Sequence, residues 1–145
     1  YHEVIKMKVS RRFQLSVHTI LFIAVYGDEK GLTCDYISNE LKCNPIVIKN
    51  ILNLLCRNDF LIKVPSTSSI KLKKDVKDIT LWDVYKITDE VNIKNIFCSD
   101  DLQINNPIIS DLPELLVTPF EKVMSCIKDT LSKVSIDSLL KQYNY

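Results

Sequence analysis

Apolar residues recur along this chain with two different periods. From Ser10 to Tyr26, Phe13, Val17, Ile20, Leu21 and Ala24 make one helical stripe. Leu15, Phe22, Ile23 and Val25 are apolar on its other faces, so the pattern predicts a helix buried on more than one side. It suits either a central core helix or one on which a second subunit also packs. Gly27 to Gly31 predicts a turn. From Thr33 to Phe60 the pattern predicts two helices joined by a very short turn. Thr33 caps the first, with Tyr36, Ile37 and Leu41 on its apolar face. Lys42 and Cys43 make the turn. Asn44 caps the second helix and Pro45 takes its first position, where a missing N–H costs nothing. Ile48, Ile51, Leu52 and Leu55 form the buried stripe of that helix, and Ile46, Lys49, Asn50 and Asn53 the exposed one.

The period then changes to two. Phe60 to Val64, Pro65 to Ser69 and Ile70 to Lys74 predict strand, turn and strand, with Ile70 and Leu72 facing inward and Lys71 and Lys73 outward. Thr80 caps a further helix with Leu81, Val84, Tyr85 and Ile87 on its apolar side and Trp82 in a seam. Val91 to Ile109 has no regular pattern. Thr118-Pro119-Phe120-Glu121 is a capping box that predicts a helix start, although a turn from Asp111 to Val117 could join it as one helix interrupted at Pro119. Phe120, Val123, Met124, Ile127, Leu131 and Val134 make its stripe. Ser135 caps a last short helix with Ile136, Leu139 and Leu140.

A helix pair with a short turn, followed at once by a basic hairpin, is the pattern of a winged helix-turn-helix. The fold expected is therefore mainly α with a small β-hairpin wing. Asparagine can pair bidentately with adenine, and lysine can reach guanine or a phosphate, so Lys49, Asn50 and Asn53 suit a major-groove reading face. Ser10, Arg11 and Arg12 at a helix start and Ser66, Thr67, Ser68 and Ser69 on the wing suit phosphate contact, a solvated pair being the alternative for Arg11 and Arg12. Thr33, Asn44 and Ile46 complete the candidate DNA-binding set.

Charge sharpens this picture. The formal net charge is only +1, but residues 1–74 hold 12 Lys and Arg against 6 Asp and Glu, and residues 75–145 hold 7 against 12. Positive charge is thus concentrated around the proposed reading element. The five cysteines are odd in number and scattered, which fits a reducing cytoplasm rather than a secreted disulfide framework. No signal peptide is visible, and the run from Ile20 to Tyr26 is too short to span a bilayer. Tyr1 to Lys6 carries no strong pattern, and Met7 is a candidate natural start. Abundant Lys, Ile and Asn suit an AT-rich genome. His18 is expected to be a core or interface residue rather than a ligand. Cys34, beside a helix N-cap, is the one thiol with an argument for a lowered pKa and a redox role; the alternative is a small filler residue.

The segments MKVSRRFQLSVHTILFIA, CNPIVIKNILNLL and DITLWDVYKITDE resemble the Rrf2 family of bacterial winged-helix regulators, most closely its YwnA-like branch, from Met7 to about Tyr143. The resemblance implies a DNA-binding domain over residues 7–90. A linker loop and C-terminal dimerisation helices would follow over residues 91–145. It also implies a homodimer in which the long C-terminal helix, through Phe120, Val123, Met124, Ile127 and Leu131, packs on its symmetry mate and on the first helix. Two recognition helices would then face a palindromic operator on double-stranded DNA, most simply as a repressor.

Three departures stand out. Cluster-binding members carry three closely spaced cysteines before the long helix, whereas here there is only Cys98, so no cofactor or metal is expected. The wing lacks the family's usual glycine, which predicts a looser turn. Pro119 falls where relatives have uninterrupted helix. Enzyme classes find no support: there is no phosphate-binding glycine loop and no zinc spacing. Two readings follow. One is a sequence-specific transcription regulator. The other is a winged-helix protein-interaction module that has lost tight DNA binding.

Overall fold

The computed structural model describes residues 10–27, 31–88 and 112–143, the side chains of residues 112–114 excepted. The irregular stretch expected over Val91 to Ile109, Cys98 with it, and the candidate start at Met7 lie outside the described residues. The described elements, in chain order, are α1 (Arg11–Tyr26), α2 (Cys34–Glu40), α3 (Pro45–Arg57), β1 (Leu61–Lys63), β2 (Ile70–Leu72), α4 (Leu81–Thr88), α5 (Leu112–Ser132) and α6 (Ile136–Gln142).

Helix starts follow the capping residues closely. The Ser10 hydroxyl accepts from Phe13 N–H, Thr33 from Tyr36 N–H, Asn44 Oδ1 from Ile46 N–H and Ser135 from Ser138 N–H. Each satisfies one backbone donor that the first turn would otherwise leave unpaired. At α4 the box is reciprocal: Thr80 N–H donates to Asp83 Oδ2 at 3.1 Å, and Asp83 N–H donates to Thr80 Oγ1 at 3.2 Å.

One core holds the molecule together, and α1 runs through it, packing against α3, α4, α6 and β2. Ile20, Ile37, Ile48, Leu52, Leu55, Ile79, Val84 and Ile136 all lie at its centre, none more than 1% exposed. Each such side chain contributes about 1.5–3 kcal/mol relative to exposure. The stripe Ile48, Ile51, Leu52 and Leu55 is buried as its spacing predicts. On α2 the inward pair is Ile37 and Ser38, and Tyr36 is 42% exposed, so Tyr36 does not share the buried face expected of it. It lies instead beside the ring of Phe22, centroids 6.2 Å apart. His18 is exposed rather than part of the core.

β1 and β2 form an antiparallel hairpin in which Leu61 pairs with Leu72, Ile62 with Lys71 and Lys63 with Ile70. Ile70 N–H also donates to Leu32 O at 2.9 Å, which ties the hairpin to the entrance of α2. The wing turn is closed without glycine. Ser68 N–H donates to Val64 O at 2.9 Å and Val64 N–H to Ser69 O at 2.8 Å, while Ser68 takes the left-handed backbone at φ 54°. The looser turn expected from the missing glycine is therefore not found: a short polar residue occupies the position glycine would fill.

The long helix does not begin at the Thr118 capping box. It starts at Leu112 and runs through Pro119 to Ser132, which realises the joined-helix alternative. Proline removes one backbone donor and crowds the carbonyl four residues back, that of Leu115. Leu115 and Pro119 are both exposed, so water can serve that carbonyl. After a brief turn the chain re-enters the core. Ile136 N–H donates to Ile79 O and Leu81 N–H to Val134 O, both at 2.9 Å, with Thr80 and Ser135 forming an antiparallel bridge.

Candidate nucleic-acid interface

α3 is held by its apolar stripe, so its opposite stripe must face outward. Ile46 is 69% exposed, Lys49 and Asn50 are exposed, and Asn53 is half-buried. Steps of three and four residues place the four on one line along the helix. Asn44 and Pro45 fix where that line begins, because a capped start with proline leaves the first turn little freedom to fray. The interhelical turn is equally fixed. Lys42 adopts φ 50°, and Cys43 N–H donates to Ser38 O at 2.9 Å, so the end of α2 is closed by a hydrogen bond from the turn.

Cations flank this stripe on both sides. Toward the start of α1, a groove of about 740 Å³ is lined by Arg11, Arg12, Leu15, Asn44, Asn50 and Asn53 among others. Arg57 borders this groove and a second one of about 460 Å³ toward the wing, where Asn53, Cys56, Lys63 and Lys73 also contribute. The charge of Lys73 is partly engaged, since its Nζ lies 2.6 Å from Asp59 Oδ1. The hydrogen bond that Lys73 donates there, reinforced by its charge, holds the Asp59 carboxyl below the ordinary carboxylate range. Lys74 sits over the Phe60 ring, 4.7 Å from its centroid. The charges of Lys49 from α3 and Lys63 from β1 both act to lower the pKa of the Cys34 thiol.

The predicted contact residues divide into groups. Arg11, Arg12, Lys49, Asn50, Ser66, Thr67 and Ser68 are exposed. Ser10, Thr33 and Asn44 act first as helix caps through their side-chain oxygens, which leaves the two hydroxyls and the Asn44 amide able to donate to a phosphate. Ser69 is only 7% exposed, and its hydroxyl lies 2.6 Å from Thr67 Oγ1. Ser69 therefore closes the wing turn, and the exposure expected of it is corrected: its hydroxyl is buried and engaged with Thr67. Arg57 and Lys63 were not among the predicted contacts. The alternation of the basic hairpin could have pointed to Lys63, and the i, i+4 step from Asn53 to Arg57.

The lowered pKa expected of Cys34 is corrected. Burial raises its pKa, the neighbouring Asp35 charge raises it again, and Lys63 and Lys49 only partly oppose them. The thiol donates to Pro45 O at 3.8 Å. The small-filler alternative fits it. Cys56 is raised too, by burial. On α5, Phe120, Met124, Ile127 and Leu131 are half-buried in the single chain. Val123 is 47% exposed and the upstream run Leu115, Leu116 and Val117 is 68, 38 and 42% exposed. Among the described residues no helix is long and apolar enough to cross a membrane.

A tight helix pair with an outward polar stripe, backed by a basic hairpin, makes this a winged helix-turn-helix protein. Its family follows from the sequence itself: the chain belongs to the Rrf2 family, described as iron-dependent transcriptional regulators, which it matches over residues 9–142. It is accordingly a transcriptional regulator and not an enzyme. It is similar to the HTH-type transcriptional regulator YwnA of Bacillus subtilis, 23% identical over 133 residues that span 91% of this chain and 96% of the relative. The regulator YffB of Lactococcus lactis is 26% identical, with 96% and 92% of the two chains covered. A crystal structure of a Lactobacillus plantarum protein described as a transcriptional regulator superposes with a TM-score of 0.76 at 23% identity, over 92% of this chain and 90% of that one. T. potens IscR shares the fold at TM-score 0.66 and 15% identity, covering 95% and 89%.

The family description raises the question of iron. Among the described residues no three His, Cys, Asp or Glu side chains come together as a metal site. Cys34 and Cys43 direct their thiols at backbone carbonyls, of Pro45 and Leu41. The described residues therefore do not fit an iron centre.

Proposed function

We propose that this regulator binds double-stranded DNA as a homodimer on a palindromic operator and acts as a cytoplasmic repressor. The observation that carries this reading is the outward stripe of α3 lying between two cation-lined grooves. In helix-turn-helix proteins the second helix enters the major groove with its N-terminal residues on the base edges. Here those residues are Ile46, Lys49 and Asn50, with Arg11, Arg12, Arg57 and Lys63 disposed for the flanking phosphates. The exposed apolar run of α5, added to Phe120, Val123, Met124, Ile127 and Leu131, supports pairing through that helix. Two-fold pairing implies two half-sites about one helical turn apart. A dimer seated on a promoter excludes polymerase by occupancy, which is the simplest route to repression.

Ile46 at 69% and Ile62 at 48% exposure are the features that favour the protein-capture alternative. Binding to a duplex enriched from a randomised pool separates the two. Asn50→Ala should cost ~1–3 kcal/mol on the enriched duplex and little on an unrelated one, because a base contact carries sequence information. Arg12→Ala should weaken both alike, because a phosphate contact does not. If no duplex is enriched and neither DNA is bound at low salt, the protein-capture reading replaces this one.

A further inference from the structure

The tip of α3 is apolar where a groove-reading helix ordinarily carries polar side chains. Its first turn holds Pro45, Ile46 and Val47, all exposed. Ile46 is 69% and Val47 39% exposed, whereas Ile48, Ile51, Leu52 and Leu55 on the other face account for the burial of the helix. The side-chain oxygen of Asn44 is already committed, since it accepts from Ile46 N–H at 2.8 Å, which leaves only its amide N–H groups to donate. Ile46 therefore has no role in the fold of the single chain, and it leads the line that continues through Lys49, Asn50 and Asn53.

We infer that Ile46 is a specificity residue that recognises thymine by packing on its C5-methyl group, with Asn50 reading the base edge one turn further along. This inference rests on the DNA-binding reading above. The major groove offers an aliphatic side chain one partner that distinguishes bases, and that partner is the thymine methyl. A β-branched side chain on a helix has nearly a single χ1 setting, so Ile46 meets the groove with little ordering entropy to lose. Arg11 and Arg12 share with Asn44 and Val47 the groove beside this tip, and those cations make a duplex a better occupant of it than an apolar protein surface.

The test removes the apolar group from each partner in turn. A motif is first enriched by the wild-type dimer from a randomised duplex pool. Each thymine of the motif is then replaced by deoxyuridine, which keeps the Watson–Crick and groove hydrogen-bonding groups and deletes only the methyl. At one thymine per half-site, wild type should lose about fourfold per methyl removed, the effect of one buried methylene-sized group. Ile46→Ala, folded as wild type because the side chain is exposed, should bind the thymine duplex more weakly and respond to uracil by less than about 1.5-fold. The two deletions act on one shared packing interaction, so the second has little left to remove. Equal binding of thymine and uracil duplexes by wild type overturns the inference, and so does an undiminished uracil effect in Ile46→Ala. Failure of wild type to enrich any motif overturns the DNA-binding reading as well, and is told apart from the first two results by that fact.

Discussion

Replacing Ile136 with alanine should cost more stability than its place near the end of the chain would suggest. Ile136 opens α6, is 0% exposed and packs into the core shared by α1, α3 and α4. The change deletes three carbons, which at ~0.8 kcal/mol per buried group gives ~2.4 kcal/mol of lost transfer energy. The surroundings cannot collapse freely, because Ile136 N–H is bonded to Ile79 O and Asp137 N–H to Val76 O. A residual cavity should bring the total to about 3–4 kcal/mol. For a chain of 145 residues, that lowers the melting temperature by roughly 10 °C. Urea unfolding at fixed protomer concentration, followed by far-UV circular dichroism, measures it, with the slope expected to be unchanged. Ile62→Ala provides the control, a chemically identical truncation at a site 48% exposed, expected to cost under ~1 kcal/mol. A loss below ~1 kcal/mol for Ile136→Ala would refute the reasoning, since α6 would then not be keyed into the core.

Three further outcomes can be measured on the same protein. Burial acts to raise the Asp83 carboxyl, but hydrogen bonds from the Thr80 N–H and hydroxyl and the Lys86 ammonium prevail and hold it below its ordinary value. Asp83→Asn should therefore cost ~1 kcal/mol from pH 5 to 8, with the difference from wild type shrinking as pH falls below about 4 and the wild-type carboxyl protonates; a difference that grows toward acid would contradict this. Replacing both Ile127 and Leu131 with Asp should give monomers or unfolded chain by sedimentation velocity, and a well-folded dimer would place the interface elsewhere. Anaerobically purified protein should carry no stoichiometric iron by elemental analysis, and a visible thiolate-to-iron absorption band would overturn that expectation.

Where one force dominates, the sequence is easy to read. The α3 stripe is legible because four aliphatic residues at helical spacing can be satisfied only by burial. The caps at Ser10, Thr33, Asn44 and Ser135 are legible because the first turn of every helix needs acceptors. Misreadings arise where two local rules compete. At Thr118-Pro119 a capping signal coincides with a helix already under way, and solvent at an exposed turn tolerates the proline. At α2, Ser38 goes inside in place of Tyr36: its hydroxyl donates to Asp35 O at 2.9 Å, so a small polar residue is buried at little cost. Cys34 combines a helix start with burial and an adjacent aspartate, and burial prevails. In the wing, composition alone puts Ser69 outside, whereas closing a glycine-free turn requires its hydroxyl inside.

The salt dependence of binding to the enriched duplex tests the central claim most directly. If α3 and its flanking cations dock on DNA in two copies, Arg11, Arg12, Lys49, Arg57 and Lys63 provide for roughly 6–10 phosphate contacts per dimer. Affinity should then fall by ~10³–10⁵ between 50 and 200 mM salt, and Lys63→Ala should flatten the logarithmic slope by about two, one per protomer. A slope near zero, or one that Lys63→Ala leaves unchanged, would contradict the assignment of this face to DNA.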